Sequence, residues 1–248
     1  MDNRRFAGRR VLVVGGGSGI GWSAAVQALA EGARVVVADV DATTEQRLAG
    51  LSGDVCFVAT DATDADAVDR ALATTLERLG GLDAVLMTVG GAVLADVPDL
   101  DRATWSRELD VNLTSAWLVA RAALAVLTEQ GSGALCLTSS GQAVMSATDR
   151  AAYAAAKAGV LSLTRSLAGY AAAHGVRVNC IAPGPTDTPR FRAMNGGDAG
   201  VERVRAAMPL GTVPTPEECA EVALFLLSPA ASAVTGQTVH VNGGLLMP

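Results

Sequence analysis

Lysine and tyrosine are scarce in this chain of 248 residues. Lys157 is the only lysine, and apart from two histidines every other basic side chain is arginine. The two tyrosines are Tyr153 and Tyr170, and the first precedes the lysine by four residues. Since the chain uses arginine at every other position of permanent positive charge, position 157 requires a property that arginine lacks.

Long apolar runs and basic clusters are also missing. A membrane helix needs roughly 20 uninterrupted apolar residues, and the most apolar helical stretch, 116–127, is shorter and carries Arg121. The formal net charge is −6 and the arginines are scattered, which disfavours a nucleic-acid-binding surface. We therefore expect a soluble, cytoplasmic protein without a nucleic-acid or membrane partner.

The cysteines and histidines form no ligand pattern. No C-x-x-C spacing occurs, so we expect buried, reduced thiols rather than a disulfide or a metal site. These cysteines are Cys56, Cys136, Cys180 and Cys219. His174 and His240 lack a partner at ligand spacing, and we interpret both as structural or surface residues.

Short apolar runs rich in β-branched residues alternate with alanine- and leucine-rich stretches of helical pattern. Predicted strands span residues 10–14, 33–39, 55–60, 82–87, 133–139, 176–182 and 237–242. Predicted helices lie near residues 20–31, 43–50, 64–79, 101–129, 151–173 and 216–227. The alternation predicts one α/β domain over residues 1–248, a doubly wound Rossmann fold with a seven-stranded parallel sheet flanked by helices on both faces.

The segment 184–215, rich in glycine, proline and arginine, fits none of these elements. Long irregular segments in compact domains are often lids or binding loops. We predict that residues 188–212 form a substrate lid with a flexible middle and several apolar contacts. The expected flexible residues are Gly196, Gly197 and Gly200, and the expected contacts are Phe191, Met194 and Met208.

The sequence VVGGGSGIG follows the first predicted strand and opens a helix. Its glycines permit a sharp turn, close approach of the main chain to a pyrophosphate, and free N–H groups at the helix N-terminus. The residues expected to contact a dinucleotide are Gly15, Gly17, Ser18, Gly19, Ile20 and Gly21. Asp39 ends the second strand, where a ribose-binding acid belongs. The alternative is a glycine-rich turn followed by an ordinary solvated aspartate.

Asp61 ends the third predicted strand, at the same edge of the sheet. One interpretation makes Asp61, with its neighbour Ala62, part of the cofactor site. The other makes Asp61 the N-cap of the helix that starts near Asp64.

Tyr153 and Lys157 are four residues apart on a predicted helix, so their side chains lie on one face. A phenol has a pKa near 10, and a nearby cation stabilises the phenolate and lowers that pKa towards the range useful for proton transfer. Lysine supplies a compact ammonium that can serve the phenol and a ribose hydroxyl together, whereas the flat fork of arginine suits carboxylates and phosphates. This answers the question raised by the single lysine.

These motifs together resemble the short-chain dehydrogenase/reductase family, in its single-domain branch, over nearly the whole chain. The family's glycine loop and its Y-x3-K pair match the residues above. Its further motifs match Ser140 in LTSSGQ, Asn112 in DVNLTS, and Pro183, Gly184 and Thr188 after the sixth strand. The C-terminal stretch VTGQTVHVNGG also has the family's form.

The resemblance implies a mechanism. Ser140 would position the substrate oxygen, Tyr153 would exchange the proton, and Lys157 would lower the tyrosine pKa and hold the nicotinamide ribose. Asn112 would maintain a kink in its helix and help to order a water linked to Lys157. The further residues implied to contact the cofactor are Val89, Gly90, Pro183, Gly184, Thr186 and Thr188. The resemblance also implies a homotetramer, which the widely apolar 101–129 helix and the C-terminal NGGLLMP favour.

Two departures from the family pattern stand out. The family usually has threonine before the first motif glycine and N-N-A-G after the fourth strand, where this chain has Val14 and the sequence MTVG at 87–90. If the two polar residues contact each other in the family, replacing both can be nearly neutral. Main-chain contacts from Val89 and Gly90 to the cofactor could persist, but the side-chain contacts of the asparagines are lost.

We therefore expect an NAD-dependent oxidoreductase that transfers a hydride between the nicotinamide and a secondary alcohol or ketone. An NADPH-dependent 3-ketoacyl-type ketoreductase is the nearest alternative, against which Asp39 argues. A non-catalytic cofactor-binding regulator is a third possibility, and the intact Asn112, Ser140, Tyr153 and Lys157 oppose it.

Overall fold

One parallel sheet of seven strands organises residues 5–248, the part of the chain that the computed structural model describes. Residues 1–4 of the predicted domain lie outside this range. The strands are β1 (Arg10–Val14), β2 (Arg34–Asp39), β3 (Val55–Ala59), β4 (Ala84–Met87), β5 (Gly133–Thr138), β6 (Val176–Pro183) and β7 (Thr238–Val241). Their spatial order is β3-β2-β1-β4-β5-β6-β7, and every ladder is parallel. The prediction of a doubly wound α/β fold is confirmed.

Helices cover both faces of the sheet. They are α1 (Gly19–Ala30), α2 (Thr43–Leu48), α3 (Ala65–Leu79), α4 (Arg102–Leu109), α5 (Ser115–Gln130), α6 (Ala151–Ala172), α7 (Pro189–Met194), α8 (Asp198–Ala207) and α9 (Pro216–Leu227). The stretch predicted as one helix over 101–129 is α4 and α5, joined by a single π-helical segment at Asp110–Thr114. The N-cap of α3 is Asp64, whose side chain accepts the Asp66 N–H, so the N-cap interpretation of Asp61 is wrong.

The sheet separates two apolar cores. Leu12 and Val14 of β1 pack on the side of α3 and α5, and Val11 and Val13 pack on the side of α1 and α9. Burial of both strand faces explains why the strands show near-continuous apolar runs instead of alternation. Cys136 and Cys180 are buried in these cores, Cys219 is buried on α9, and Cys56 is partly exposed; all four thiols are free.

The segment 184–215 was predicted to be irregular, but it contains two short helices, α7 and α8. Thr188 caps α7 by accepting the Phe191 N–H, whereas α8 follows Gly196 and Gly197, both of which have positive φ, and has no side-chain cap. Gly200 is a packing residue, because a Cβ there would lie 1.7 Å from the carbonyl oxygen of Asn195. Pattern reading missed these helices because their turns are short and interrupted.

The helical stretch Arg102–Gln130 is, within residues 5–248, the one segment long and apolar enough to cross a membrane by length and composition. However, 56% of its most apolar window is buried inside the fold. This burial is what a core helix of an α/β domain shows.

Candidate active site

The glycine loop and the end of β4 meet at the point where the strand order reverses. β1 lies between β2 and β4, so their connections leave in opposite directions and open a crevice at the carboxyl edge. Gly21 lies so close to Gly15 that a Cβ would come within 2.2 Å of the Gly15 carbonyl oxygen. Gly19, at the start of α1, has only the Thr188 methyl group within 4 Å of its Cβ position, at 3.6 Å. The loop is therefore tightly packed below and open at the helix N-terminus, which fits a pyrophosphate.

Asp39 closes one end of this loop. One carboxylate oxygen accepts the Gly17 N–H at 2.7 Å, and the other accepts the Asp41 N–H at 3.0 Å. The free lone pairs of both oxygens can accept hydrogen bonds from a ribose diol. A Cβ at Gly17 would lie 2.7 Å from the Asp39 carboxyl carbon, so the loop needs glycine there to approach the acid.

Arg47 is a cation that sequence analysis missed at this end. Its guanidinium stacks over Trp22, 3.9 Å from the ring centroid, and donates to the Gly17 carbonyl at 2.5 Å. The sequence gives no signal for it, because Arg47 lies on α2, eight residues after Asp39.

The two departures from the family pattern are direct neighbours. Val14 and Met87 are register partners across the β1–β4 ladder, and both are buried. Thr88 lies next along the chain, and its hydroxyl donates towards the carbonyls of Val14 and Gly15, at 3.1 and 3.0 Å. Because Val14 and Met87 are both apolar, neither leaves a buried polar group without a hydrogen-bond partner. Thr88 supplies the cross-strand hydrogen bond to the glycine loop.

Asn112 lies in the π-helical segment and is almost fully buried. Its amide nitrogen donates to the carbonyls of Glu108 and Gly91, and its amide oxygen accepts the Gly91 N–H at 2.9 Å. The side chain thus ties an irregular helical turn to the loop after β4. The π-helical turn lies where the kink is expected, and the water that Asn112 is expected to order stays a prediction.

Ser140 and Tyr153 line one cavity of about 430 Å³ at the carboxyl edge of the sheet. Ser140 follows β5 and caps a short 3₁₀ turn, where its hydroxyl accepts the Gln142 N–H at 3.2 Å. Burial raises the pKa of Tyr153, and hydrogen bonding to Ser140 lowers it in part. Both hydroxyls can therefore reach one substrate oxygen in the cavity.

Lys157 lies behind Tyr153, one turn further along α6. Its Nζ is 5.7 Å from the Tyr153 ring centroid and donates to the Thr138 carbonyl at 2.9 Å. Burial lowers the pKa of this lysine to about 8. A Cβ at Gly90 would lie 2.7 Å from both Lys157 Nζ and Asn112 Oδ1, so the loop after β4 is packed directly on these two side chains.

That Lys157 lowers the pKa of Tyr153 stays a prediction. The charges of Arg150 and Arg190, which line the same cavity, lower this pKa, and that of Glu108 raises it. Neither arginine was predicted from the sequence. Arg150 could have been suspected from its position three residues before the tyrosine, whereas Arg190 comes from the unassigned segment.

The remaining predicted cofactor residues divide into two groups. Gly90, Gly184, Thr186, Thr188 and Ile20 line the cavity beside Tyr153. Val89, Pro183, Ser18 and Ala62 lie at the same edge of the sheet but do not line that cavity. Asp61 is exposed, and its carboxylate accepts the main-chain N–H and the hydroxyl of Thr63, which lower its pKa.

The predicted lid residues also divide. Phe191 and Met194 line the cavity, as do Leu245 and Leu246 of the C-terminal segment. Met208 does not: it is buried, with its sulfur 3.5 Å from the Cβ position of Gly243. Met208 therefore anchors the segment to the C-terminal chain instead of contacting a ligand. That residues 188–212 move as a lid stays a prediction.

Comparison with known proteins identifies the chain. A family model described as enoyl-(acyl carrier protein) reductase matches residues 15–246. A solved short-chain type dehydrogenase/reductase from Mycobacterium ulcerans superposes with a TM-score of 0.91 at 32% identity, covering 97% of this chain and 90% of that one. The chain belongs to the short-chain dehydrogenase/reductase family.

Two curated members of the short-chain dehydrogenase/reductase family match the chain almost end to end. The 2-(S)-hydroxypropyl-CoM dehydrogenase 3 of Xanthobacter autotrophicus is 35% identical over 253 residues, which cover 99% of each chain. The cis-4-hydroxycyclohexanecarboxylate dehydrogenase of Sinomonas cyclohexanicum is 40% identical over 246 residues, 96% of this chain and 97% of that protein. Members of this family are oxidoreductases that bind a nicotinamide cofactor, NAD or NADP, and the cradle formed by Gly15, Gly19 and Gly21 fits that group.

Proposed function

We propose that this protein is an NAD-dependent dehydrogenase that interconverts a secondary alcohol and its ketone. The observation that carries the proposal is the arrangement of Ser140 and Tyr153 on one cavity, with Lys157 buried behind the tyrosine. The glycine loop, with the α1 N-terminus at Gly19, would hold the pyrophosphate of the cofactor, and Asp39 would hold its adenosine ribose. When bound, the cofactor supplies the hydride acceptor or donor.

The side chains have separate parts in the proposed mechanism. The Ser140 hydroxyl donates a hydrogen bond to the substrate oxygen and fixes it beside the phenol. In alcohol oxidation the Tyr153 phenolate accepts the hydroxyl proton, and in ketone reduction the phenol returns it. The Lys157 ammonium stabilises negative charge on the phenolate once the phenol is deprotonated. Asn112 holds the turn that packs against Gly91, so that the loop after β4 keeps its position beside Lys157.

NAD is proposed over NADP because Asp39 would face the adenosine ribose of a cofactor held by the glycine loop. A carboxylate there accepts hydrogen bonds from two hydroxyls, and it repels a 2′-phosphate. Arg47 would moderate this preference, since its guanidinium donates to the carbonyl of Gly17, the residue whose N–H Asp39 accepts. The preference for NAD thus depends on Asp39 and Arg47, which both hydrogen-bond to Gly17 of the glycine loop.

The decisive experiment measures the reduction of NAD and of NADP with a panel of secondary alcohols, which includes cis-4-hydroxycyclohexanecarboxylate. Turnover with NAD that is lost in Tyr153→Phe supports the proposal. Tight binding of NAD without turnover of any alcohol or ketone would instead favour a regulator. A preference for NADP with 3-ketoacyl thioesters would favour the ketoreductase alternative.

We also propose that the protein is a cytoplasmic homotetramer. Trp105 and Trp117 are 39% and 47% exposed on the α4–α5 stretch. Trp117 also borders a shallow groove with Leu113 and Leu163, between α5 and α6. Large exposed indoles, one of them beside a groove with two leucines, favour burial against a further copy of the chain.

A further inference from the structure

The cavity beside Tyr153 is positively charged on an acidic protein. Among the residues that the structure describes, two arginines line it, Arg150 and Arg190, and no aspartate or glutamate does. The whole chain has the opposite balance, with 25 acidic against 19 basic residues. The positive charge of the cavity lining therefore does not follow the charge balance of the whole chain.

Arg190 has hydrogen-bonding capacity to spare. Its Nη2 donates to the Ala92 carbonyl at 2.8 Å, and its Nη1 lies 2.8 Å from the Cβ position of Gly91. The guanidinium thus rests on the main chain of 91–92, where any larger residue at 91 would displace it. Within residues 5–248 no carboxylate lies within ion-pair distance of Arg190, so its other N–H groups are available to a ligand.

Arg150 is a partly neutralised partner. Its Nε and Nη2 donate to the Asp149 carboxylate at 2.9 and 2.8 Å, which leaves Nη1 free. The other nearby acid, Glu108, is buried behind the wall, where it accepts the Val93 N–H, and burial raises its pKa. Arg190 is therefore the cation with the most unused capacity in the cavity.

We propose that the substrate carries a carboxylate, held by Arg190 with support from Arg150. A guanidinium binds a carboxylate through two parallel, charge-assisted hydrogen bonds. The rest of the wall is mostly apolar, with Leu94, Met145, Phe191 and Leu246 among its residues. The substrate class is thus a hydroxy acid or oxo acid with a hydrocarbon body between its carboxylate and the reacting carbon.

This inference deepens the proposed function and rests on it, because the alcohol end of the substrate is assigned to Ser140 and Tyr153. It also assigns a role to α7. The helix would carry Arg190 onto the substrate when residues 188–212 close, so the charge that selects the ligand and the segment that covers it would be one unit.

The test measures binding without turnover. Cyclohexanecarboxylate and cyclohexanecarboxamide are titrated by calorimetry into the protein saturated with NADH. The wild type is expected to bind the acid at least about tenfold more tightly than the amide, given the usual strength of charge-assisted hydrogen bonds. Arg190→Gln should remove most of this preference, and Arg190→Lys should retain part of it.

Arg205→Gln is the matched control, because Arg205 is exposed on α8, pairs with Glu202, and carries the same charge. It should keep the full preference for the acid. Equal binding of acid and amide by the wild type, or an unchanged preference in Arg190→Gln, would overturn the inference.

The same samples are assayed for NAD reduction with hydroxy acids and with their methyl esters. Turnover that favours neutral alcohols would contradict the proposed carboxylate site but not the proposed dehydrogenase activity. A preference for the acid in binding, without turnover of any alcohol, would contradict the dehydrogenase activity but not the anion site.

Discussion

Lys157 donates a hydrogen bond from Nζ to the main-chain carbonyl of Thr138, at 2.9 Å, while only 3% of the lysine is exposed. Burial lowers the pKa of the ammonium to about 8. The protein therefore keeps a cation at a position that disfavours charge, and this has a cost in stability.

Lys157→Met should raise the stability of the fold near neutral pH. A lysine whose pKa falls from 10.5 to about 8 on folding destabilises the native state by at most about 3 kcal/mol. The penalty is fully present below the folded pKa and disappears as the pH rises to the unfolded pKa. Chemical denaturation at several pH values should thus show a gain that is largest below about pH 8 and absent above about pH 10.5.

The gain in Lys157→Met will be smaller than this limit, because the Thr138 carbonyl loses its donor. Arg165→Met is a suitable control, since Arg165 is exposed on the same helix. A gain that does not change with pH would show that packing, and not the charge, is responsible.

Tyr153→Phe should lower kcat for alcohol oxidation by about 100-fold or more, because it removes the group proposed to accept the proton. The ring remains, so the fold and the affinity for the cofactor should not change. Steady-state rates and a fluorescence titration with NADH test these two expectations. Lys157→Arg should also be strongly impaired, since a guanidinium must fit a buried space shaped for one ammonium. Near wild-type rates in this variant would refute the need for lysine.

Arg190→Gln should move the pH profile of alcohol oxidation to higher pH. The Arg190 charge lowers the pKa of Tyr153, so its removal raises the pKa and delays formation of the phenolate. The profile of kcat/KM should be measured with a neutral alcohol, so that carboxylate binding plays no part. Arg205→Gln should leave the profile in place, and an unshifted or acid-shifted profile in Arg190→Gln would contradict the expectation.

Asp39→Ala should narrow the preference for NAD, which we expect to be about a hundredfold in the wild type. The loss of the carboxylate removes the acceptor for the ribose hydroxyls and leaves Arg47 next to Gly17 as the nearest cation. The variant should therefore gain activity with NADP, measured as kcat/KM with one alcohol. The double variant Asp39→Ala with Arg47→Gln separates the two effects. Compared with Asp39→Ala alone, it should lose only the gain in activity with NADP.

Trp117→Glu should dissociate the proposed tetramer, because it places a charge beside the groove between α5 and α6. Light scattering at micromolar concentration should give a smaller species, while circular dichroism remains native. Val40→Glu is a control at another exposed apolar position, 69% exposed after β2. A monomeric wild type would contradict the proposed assembly directly.

Sequence reasoning worked best where a residue's environment is set by its own element. All seven strands and the Tyr153–Lys157 spacing follow from local periodicity, and the resemblance in motifs adds Ser140 and Asn112. Arg47 and Arg190 could not be found in this way. Each meets the site through tertiary packing, against Gly17 and against the main chain of 91–92, and no spacing rule connects them to it.

The helices of segment 184–215 could not be predicted for a different physical reason. The Thr188 cap of α7 and the close packing of Asn195 against Gly200 in α8 are features that an apolar period does not reveal. The π-helical turn at Asp110–Thr114 is equally hidden, since the residues on both sides of it are ordinary helix formers.

That π-helical turn also sets the rotational phase of the two helices it joins. Trp105 and Trp117 are twelve residues apart, which in an unbroken α-helix would turn them about 120° away from each other. A π turn absorbs roughly one residue without advancing the helix, which reduces the angle to about 20°. One extra residue thus brings both indoles to the same flank. Deleting it to regularise the helix would set the tryptophans eleven residues apart, which keeps the angle at about 20°. The deletion should therefore remove Asn112 from Gly91 while leaving the two indoles aligned.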